Sequence, residues 1–379
     1  MIYLDHAATT PMYPAVFQEM IPWMLPDHVG NAGSTHSQGR ATHHAIEKAR
    51  IQVADMISAQ PSEIFFTSGG TESNNLVAHI LHQFCQRILT TPFEHASVRA
   101  SLGEDWIMPV NVNHNGTLLK EEFDKACDGF AGIIGVSVMW VNNEIGSVQP
   151  IQEIAAECNA RHNVIFHTDA TQAIGHVSVR TWNGIDLLTM SAHKFGGPQG
   201  IGAIYISKRI QRMLGQNPLI LGGGQERGMR SGTENVAGIV GMGKAAEIVS
   251  SKSEYEIKNF YKALRSAFYH SFAKYMQKYS YRTNGDTSLN IISLTIPGVE
   301  SESLMMLLDK EGICVSAGSA CSAASKEPSA TLKAIGLSDD DASCTIRISM
   351  GWSTTEEEMM TAARIIAEQV DRVKQLYHS

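Results

Sequence analysis

Short apolar runs rich in β-branched residues alternate with helical stretches over the first 250 residues, and this alternation constrains the fold more than any other feature. Glu63 to Thr67 (EIFFT) reads as a strand, followed by a glycine turn and a helix from Thr71. Ile133 to Met139 reads as a buried strand, and Ile151 to Arg161 as a helix. Val164 to Thr168, Ile185 to Met190 and Ile201 to Ile206 read as further strands. Strands separated by helices imply βαβ units and a mainly parallel sheet, whose ligands bind at the carboxyl ends of the strands. A helix is expected over Ala41 to Ile57, where Ala45, Ala49 and Val53 recur every four residues.

The texture changes near Ser250. A long charged amphipathic helix is expected over Lys252 to Lys278, then an apolar run over Ser288 to Ile296 and a helix over Ser301 to Lys310. A short strand at Ile313 to Ser316 leads into a loop of Ser, Ala and Gly. The strand Cys344 to Met350 and a closing helix from Thr355 complete a smaller α+β domain, with a boundary near residue 250. Composition bounds the function classes. Lys+Arg 30 against Asp+Glu 38 gives a net charge of −8, which argues against nucleic-acid or anionic-membrane binding by the whole surface. The most apolar stretch, Phe130 to Val141, is well short of the ~20 residues of a membrane-spanning helix. The first six residues show no basic region followed by an apolar one, so no signal peptide is expected. Six cysteines with no C-x-x-C pair suit neither a zinc ribbon nor a disulfide scaffold, and a reducing, cytoplasmic setting is expected.

Several polar residues stand where those strands end. Lys194 follows an apolar strand and precedes glycines. It is either a surface lysine or a desolvated Schiff-base nucleophile. Asp169 is either a helix N-cap or a buried carboxylate paired with a pyridinium nitrogen. The turn Thr67-Ser68-Gly69-Gly70-Thr71-Glu72-Ser73 joins strand to helix, as in an anion site at a helix N-terminus or an ordinary capped helix. It is not a Walker A loop, and no G-x-G-x-x-G occurs. His95 follows a short strand, available for stacking on a flat ring or for acid–base work. Arg347, inside an apolar strand, needs a partner: a structural ion pair or a substrate carboxylate. Cys321 lies in a loop of small residues and is the candidate nucleophile, whereas Cys314 and Cys344 are read as structural.

Taken together, these segments resemble the NifS/IscS-type cysteine desulfurases of the class V aminotransferase family, over nearly the whole chain. The resemblance rests on Tyr3-Leu4-Asp5-His6-Ala7-Ala8-Thr9-Thr10-Pro11, Gly39-Arg40, Thr67 to Asn75, Val141-Asn142-Asn143-Glu144-Ile145-Gly146 and His167 to Gln172. Ser191 to Tyr205, Arg230-Ser231-Gly232-Thr233, Gly318-Ser319-Ala320-Cys321 and Arg347 complete it, and the Ser-rich loop looks like that of the long-loop group (group I). The resemblance implies an α/β fold-type I PLP-dependent transferase. Its large domain would span residues 13–250 with a mainly parallel seven-stranded sheet. Its smaller α+β domain would combine residues 1–12 and 251–379 and carry the cysteine loop.

It also implies roles. Lys194 would carry pyridoxal 5'-phosphate as a Schiff base, Asp169 would hold the pyridine nitrogen, Gln172 the ring hydroxyl oxygen, and His95 would stack on the ring. Gly70, Thr71, Ser191 and His193 would bind the phosphate, joined by Thr233 from the second subunit of a homodimer. Asn143 and Arg347 would bind the carboxylate of L-cysteine, and Cys321 would become the persulfide that passes sulfur to an acceptor protein. Ala32, Trp140, Gln199 and Trp352 depart from the family pattern, where Pro, His, Lys and Arg are usual, and are expected to alter the surface and the entrance. The chain's end at Leu376-Tyr377-His378-Ser379 lacks the extension common in housekeeping members. That favours a dedicated pathway, DNA phosphorothioation being the specific expectation, over iron–sulfur assembly or tRNA thiolation. Competing readings are another fold-type I reaction (aminotransferase, cysteine sulfinate or selenocysteine lyase) and a non-catalytic partner retaining the fold.

Overall fold

A computed structural model describes residues 1–128, 130, 132–181, 184–215, 217–277, 279–284, 288–317 and 329–378. The chain opens with the two-residue strand β1 (Ile2–Tyr3). Seven strands then build the principal sheet: β2 (Ile64–Thr67), β3 (Arg87–Thr90), β4 (Ile107–Pro109), β5 (Ile134–Ser137), β6 (Val164–Asp169), β7 (Leu187–Ser191) and β8 (Gly202–Ile206). Beyond them lie β9 (Arg282–Asn284), β10 (Ile291–Thr295), β11 (Ile313–Cys314), β12 (Ser316–Ala317) and β13 (Thr345–Ser349).

The principal sheet has the order β2-β8-β7-β6-β5-β3-β4. Pairings from β7 through to β4 are parallel, and β8 runs antiparallel to both of its neighbours. The expected mainly parallel seven-stranded sheet is therefore present, with one reversed strand. β2, β5, β6, β7 and β8 are buried throughout, as their continuous apolar runs require, whereas β4 at the edge is only half-buried. Phe66, Val136, Phe166 and Met190 point into a core closed by helices Ser37–Met56 and Val236–Ser250. Phe65, Ile165 and Ile204 point the other way, under helix Gly70–Phe84.

A second core gathers around the four-stranded antiparallel sheet β12-β13-β10-β9. Leu4 from the N-terminal segment packs there with Phe268, Phe272, Leu294, Ile346, Ile348 and Ile366. The long helix before it runs over Glu254–Tyr275 and starts at a capping box made by Ser253 and Glu256, shorter than the expected span because the box fixes its first turn. Along β13, Ile346 and Ile348 face this core, so the period of two turns Arg347 and Ser349 to the opposite face. β1 pairs with β11, and Asp5 bridges to Ser349, so the N-terminal segment is stitched to this unit. Cys344 lies just outside β13, at the end of a five-residue helix, rather than within the strand. Trp140, expected to alter the surface, is instead buried in the core beside the principal sheet.

Candidate active site

Parallel strands bring their carboxyl ends to one edge of the sheet, and the polar residues singled out in the sequence follow those ends. β2 leads into Gly70 and Thr71 at a helix N-terminus, β3 into His95, and β5 into Asn143. β6 ends at Asp169, and β7 ends at Ser191 before the single 3-10 turn that carries His193 and Lys194. A cavity of about 240 Å³ opens there, lined by all of these residues together with Gln172, Thr171, Asn74 and Arg347.

Each side chain is held by named partners. The Lys194 amine donates to the carbonyls of Ala7 (2.5 Å) and Ala8 (2.8 Å). Gln172 Nε2 donates to the same Ala7 carbonyl at 2.6 Å. Asp169 is buried. Its Oδ1 accepts from the Thr171 N–H and its Oδ2 from Asn74 Nδ2, both at 2.9 Å. His95 caps the helix Ala96–Leu102 through Nδ1, which accepts from the Ser97 N–H at 3.1 Å. The ring of His193 lies 3.1 Å from Thr9 Oγ1. Burial, with the neighbouring Lys194 charge, lowers its titration to about 4, so it is neutral at physiological pH.

Arg347 makes the structural ion pair that was one of the alternatives read for it. Its guanidinium is 2% exposed and pairs with Asp5 (2.7 Å), while Nη1 donates to the Asn143 carbonyl (2.8 Å). Its Nε is buried without a partner among the described residues. Two other lining atoms are orphaned in the same way, Thr171 Oγ1 and Asn74 Oδ1. Buried polar atoms left unpaired are costly, so three of them on residues that line one cavity point to a polar molecule that completes the site.

The lining fits pyridoxal phosphate. It offers an amine for covalent attachment, a carboxylate whose two oxygens are each fixed by an N–H donor, a histidine, and a helix N-terminus with hydroxyls for an anion. Thr233 does not line this cavity. It sits in a separate cleft with Ser68, Gly200 and Asn235. Cys321 lies outside the described residues. Among the described residues, no cluster of His, Cys, Asp and Glu could hold a metal ion, and no helix is long and apolar enough to cross a membrane.

Sequence reasoning missed Asn74, Thr171, Ser97 and the carbonyls of Ala7 and Ala8. Asn74 carried a usable signal: four residues after Gly70, it shares that residue's face of the helix. The departures from the family pattern also have places. Trp352 donates to the Pro11 carbonyl (2.9 Å) and lies on Tyr13 with ring centres 4.6 Å apart. Gln199 donates to Thr9 Oγ1 at 3.3 Å.

The family model for class-V aminotransferases matches residues 2–361. The cysteine desulfurase IscS of Dictyoglomus turgidum is 40% identical over 385 residues, covering 98% of this chain and 95% of that protein. Among solved structures, a NifS-like protein superposes with a TM-score of 0.85 at 32% identity, covering 98% of this chain and 99% of that one. SspA in complex with cysteine superposes at 0.77 with 32% identity, over 94% of this chain and 100% of that one. DndA from Streptomyces lividans does so at 0.72 with 29% identity, over 90% and 97%.

Proposed function

This chain belongs to the class-V aminotransferase family, and from that premise we propose that it is a pyridoxal-phosphate-dependent cysteine desulfurase, converting L-cysteine to L-alanine and passing the sulfur on as a persulfide of Cys321. The observation that carries the reading is the convergence of Lys194, Asp169 and His95, from three strand ends of the principal sheet, and of Arg347, from the middle of β13, on one cavity whose lining residues carry orphaned polar atoms.

When bound, pyridoxal phosphate supplies an electron sink for the pair left behind as the Cα proton departs. Lys194 would hold the cofactor, and its amine is placed to serve as the base at Cα. The Ala7 and Ala8 carbonyls fix where its freed amine rests. Asp169 keeps a proton on the ring nitrogen, and Gln172 meets the ring hydroxyl oxygen. Gly70, Thr71, Ser191 and His193 hold the phosphate. Arg347, with its unpaired Nε, and Asn143 take the substrate carboxylate. His95 stacks on the ring and serves the acid–base chemistry at the substrate sulfur. The Cys321 thiolate then attacks that sulfur. A sulfur–sulfur bond forms, the Cβ–S bond breaks with its electron pair left on Cβ, and a proton completes the methyl group of alanine. The buried thiols of Cys85, Cys127 and Cys158 suit this work poorly: burial pushes Cys85 up to about 12 and Cys127 to about 11, and raises Cys158 as well.

Residues 13–250 form the cofactor-binding domain, and residues 1–12 with 251–379 the smaller one. The protein acts as a homodimer. Thr233, outside its own chain's cavity, reaches the phosphate of a second copy. A cytoplasmic location suits the six cysteines and the charge of −8. The sulfur goes to an acceptor protein, and any nucleic acid is touched by that partner. DNA phosphorothioation is the destination we favour, compatible with the likeness to DndA, and the identity to IscS sits with the alternatives of iron–sulfur assembly or tRNA thiolation.

Mass spectrometry after L-cysteine, with alanine assayed alongside, tests the chemistry. An adduct of roughly 32 Da (one sulfur atom) on the Cys321 peptide with matching alanine is expected. Alanine without that adduct would move the reaction to a lyase or another cysteine. Cys321→Ser should keep the yellow cofactor and lose turnover, whereas Lys194→Ala should lose the absorbance of the covalently held cofactor.

A further inference from the structure

A continuous run of hydrogen bonds joins His95 to Asp169 through two residues that no role has yet been given. His95 Nδ1 lies 2.7 Å from Ser97 Oγ, Asn74 Nδ2 lies 2.9 Å from that same oxygen, and the same amide nitrogen lies 2.9 Å from Asp169 Oδ2. All four residues line the cavity.

The two ends of this run dictate every proton between them. A carboxylate only accepts, so the Asn74 amide must turn its NH2 group, not its oxygen, toward Asp169. The second hydrogen of that NH2 group goes to Ser97 Oγ, which therefore accepts there and has its own hydrogen left for His95. At the far end, the backbone N–H of Ser97 donates to His95 Nδ1 (3.1 Å), and a backbone N–H can do nothing else. Nδ1 is thus the acceptor of both Ser97 donors, and the neutral ring must carry its proton on Nε2. A second proton on Nδ1 would set a ring N–H against the Ser97 N–H.

We propose that Ser97 and Asn74 are positioning residues that lock His95 in the tautomer protonated at Nε2 and couple it to Asp169, so that Nε2 meets the substrate sulfur as a donor. This rests on the desulfurase reading for the substrate, but the tautomer does not. Asp169 supplies the charge that orients the amide, the amide orients the hydroxyl, and the hydroxyl orients the ring. The same carboxylate that would hold the cofactor's ring nitrogen therefore sets the proton position of His95.

The test is nitrogen NMR of the holoenzyme labelled with ¹⁵N-histidine, the His95 signals being identified by their loss in His95→Gln. The expected spectrum shows an unprotonated Nδ1 and a protonated Nε2. A protonated Nδ1 overturns the proposal. Ser97→Ala removes the hydroxyl but keeps the backbone donor, so the pH at which the ring titrates should move up by roughly half a unit, a factor of about 3 in proton binding. Ser97→Thr, which restores the hydroxyl, should bring it back. An unmoved titration in Ser97→Ala also overturns the coupling, and a merely structural serine would give that result. Because these signals need no turnover, a protein with the expected tautomer but no alanine formation would remove the desulfurase reading and leave the histidine assignment standing.

Discussion

Replacing Glu94 by glutamine should stabilise the protein increasingly as the pH rises. The Glu94 carboxyl is buried one residue before His95. Its Oε1 accepts from Thr91 Oγ1 (2.6 Å) and from the Met139 N–H (2.9 Å), tying the His95 loop to the chain beyond β5. Its Oε2 has no partner among the described residues. Burial, reinforced by the charge on Asp169, pushes this carboxyl from 4.5 up to about 8. Glu94 therefore holds its proton in the folded chain, one residue before His95.

A carboxyl raised on folding binds its proton more tightly in the folded chain than in the unfolded one. Its stabilising contribution is complete below 4.5 and is lost as the pH climbs toward about 8. Each pH unit inside that window costs ~1.4 kcal/mol, so between pH 6 and pH 8 the loss is about 2 kcal/mol, allowing for half-ionisation at the upper end. Glutamine keeps an acceptor for Thr91 and Met139, puts an NH2 group where the acid carries its proton, and does not titrate. Urea unfolding of both proteins at pH 6 and pH 8, at equal cofactor saturation, reads the difference. The advantage of Glu94→Gln should grow by about 2 kcal/mol across that interval. A difference that stays constant would mean that Glu94 is already ionised in the folded protein, and would refute the reasoning.

Three further outcomes follow from other contacts. Glu226 makes a two-pronged pair with Arg50 (2.7 and 2.8 Å), both side chains 4% exposed, and also accepts from the Phe66 N–H. Glu226→Ala leaves the buried Arg50 guanidinium with only Glu47 and the Ile64 carbonyl, and should cost toward the lower end of about 3–5 kcal/mol in chemical denaturation. A Cβ at Gly351 would come within 2.0 Å of His6 Nδ1, on a ring already held by Thr10 and Thr354. Gly351→Ala should destabilise by about 1–3 kcal/mol and weaken cofactor retention, read by thermal unfolding and by the visible band. Arg347→Lys keeps the charge but loses the planar fork, so the KM for L-cysteine should rise about tenfold or more with the cofactor spectrum unchanged.

Much of the site was legible because a charged or polar residue just past an apolar run has few structural excuses. Lys194, Asp169 and His95 stood out on that ground, Arg347 as a charge inside an apolar strand, and all four line one cavity. Thr233 was legible as a segment but not as a neighbour, since in its own chain it faces a different cleft. Glu94 and Ser97 gave no signal, because an acid before a histidine and a serine in a helix's first turn are ordinary in sequence. Their meaning lies in what stands opposite. Asp5 is the same case: only the fold sets it against Arg347, 342 residues away.

Local pattern determined where the strands and helices run, since hydrophobic periodicity and turn residues act over a few residues. It also determined that the chemistry would sit at the carboxyl ends of parallel strands. Tertiary structure alone decided which ends meet. It reversed β8 between β2 and β7, and it brought the Ala7 carbonyl to Lys194 across 187 residues. It also placed Asn74 between Ser97 and Asp169, where one amide can orient both. The physical reason is that a side chain's tendency to be buried is a property of its own segment, whereas a hydrogen-bond partner, and so the proton it fixes, belongs to whatever the completed fold places within 3 Å or so.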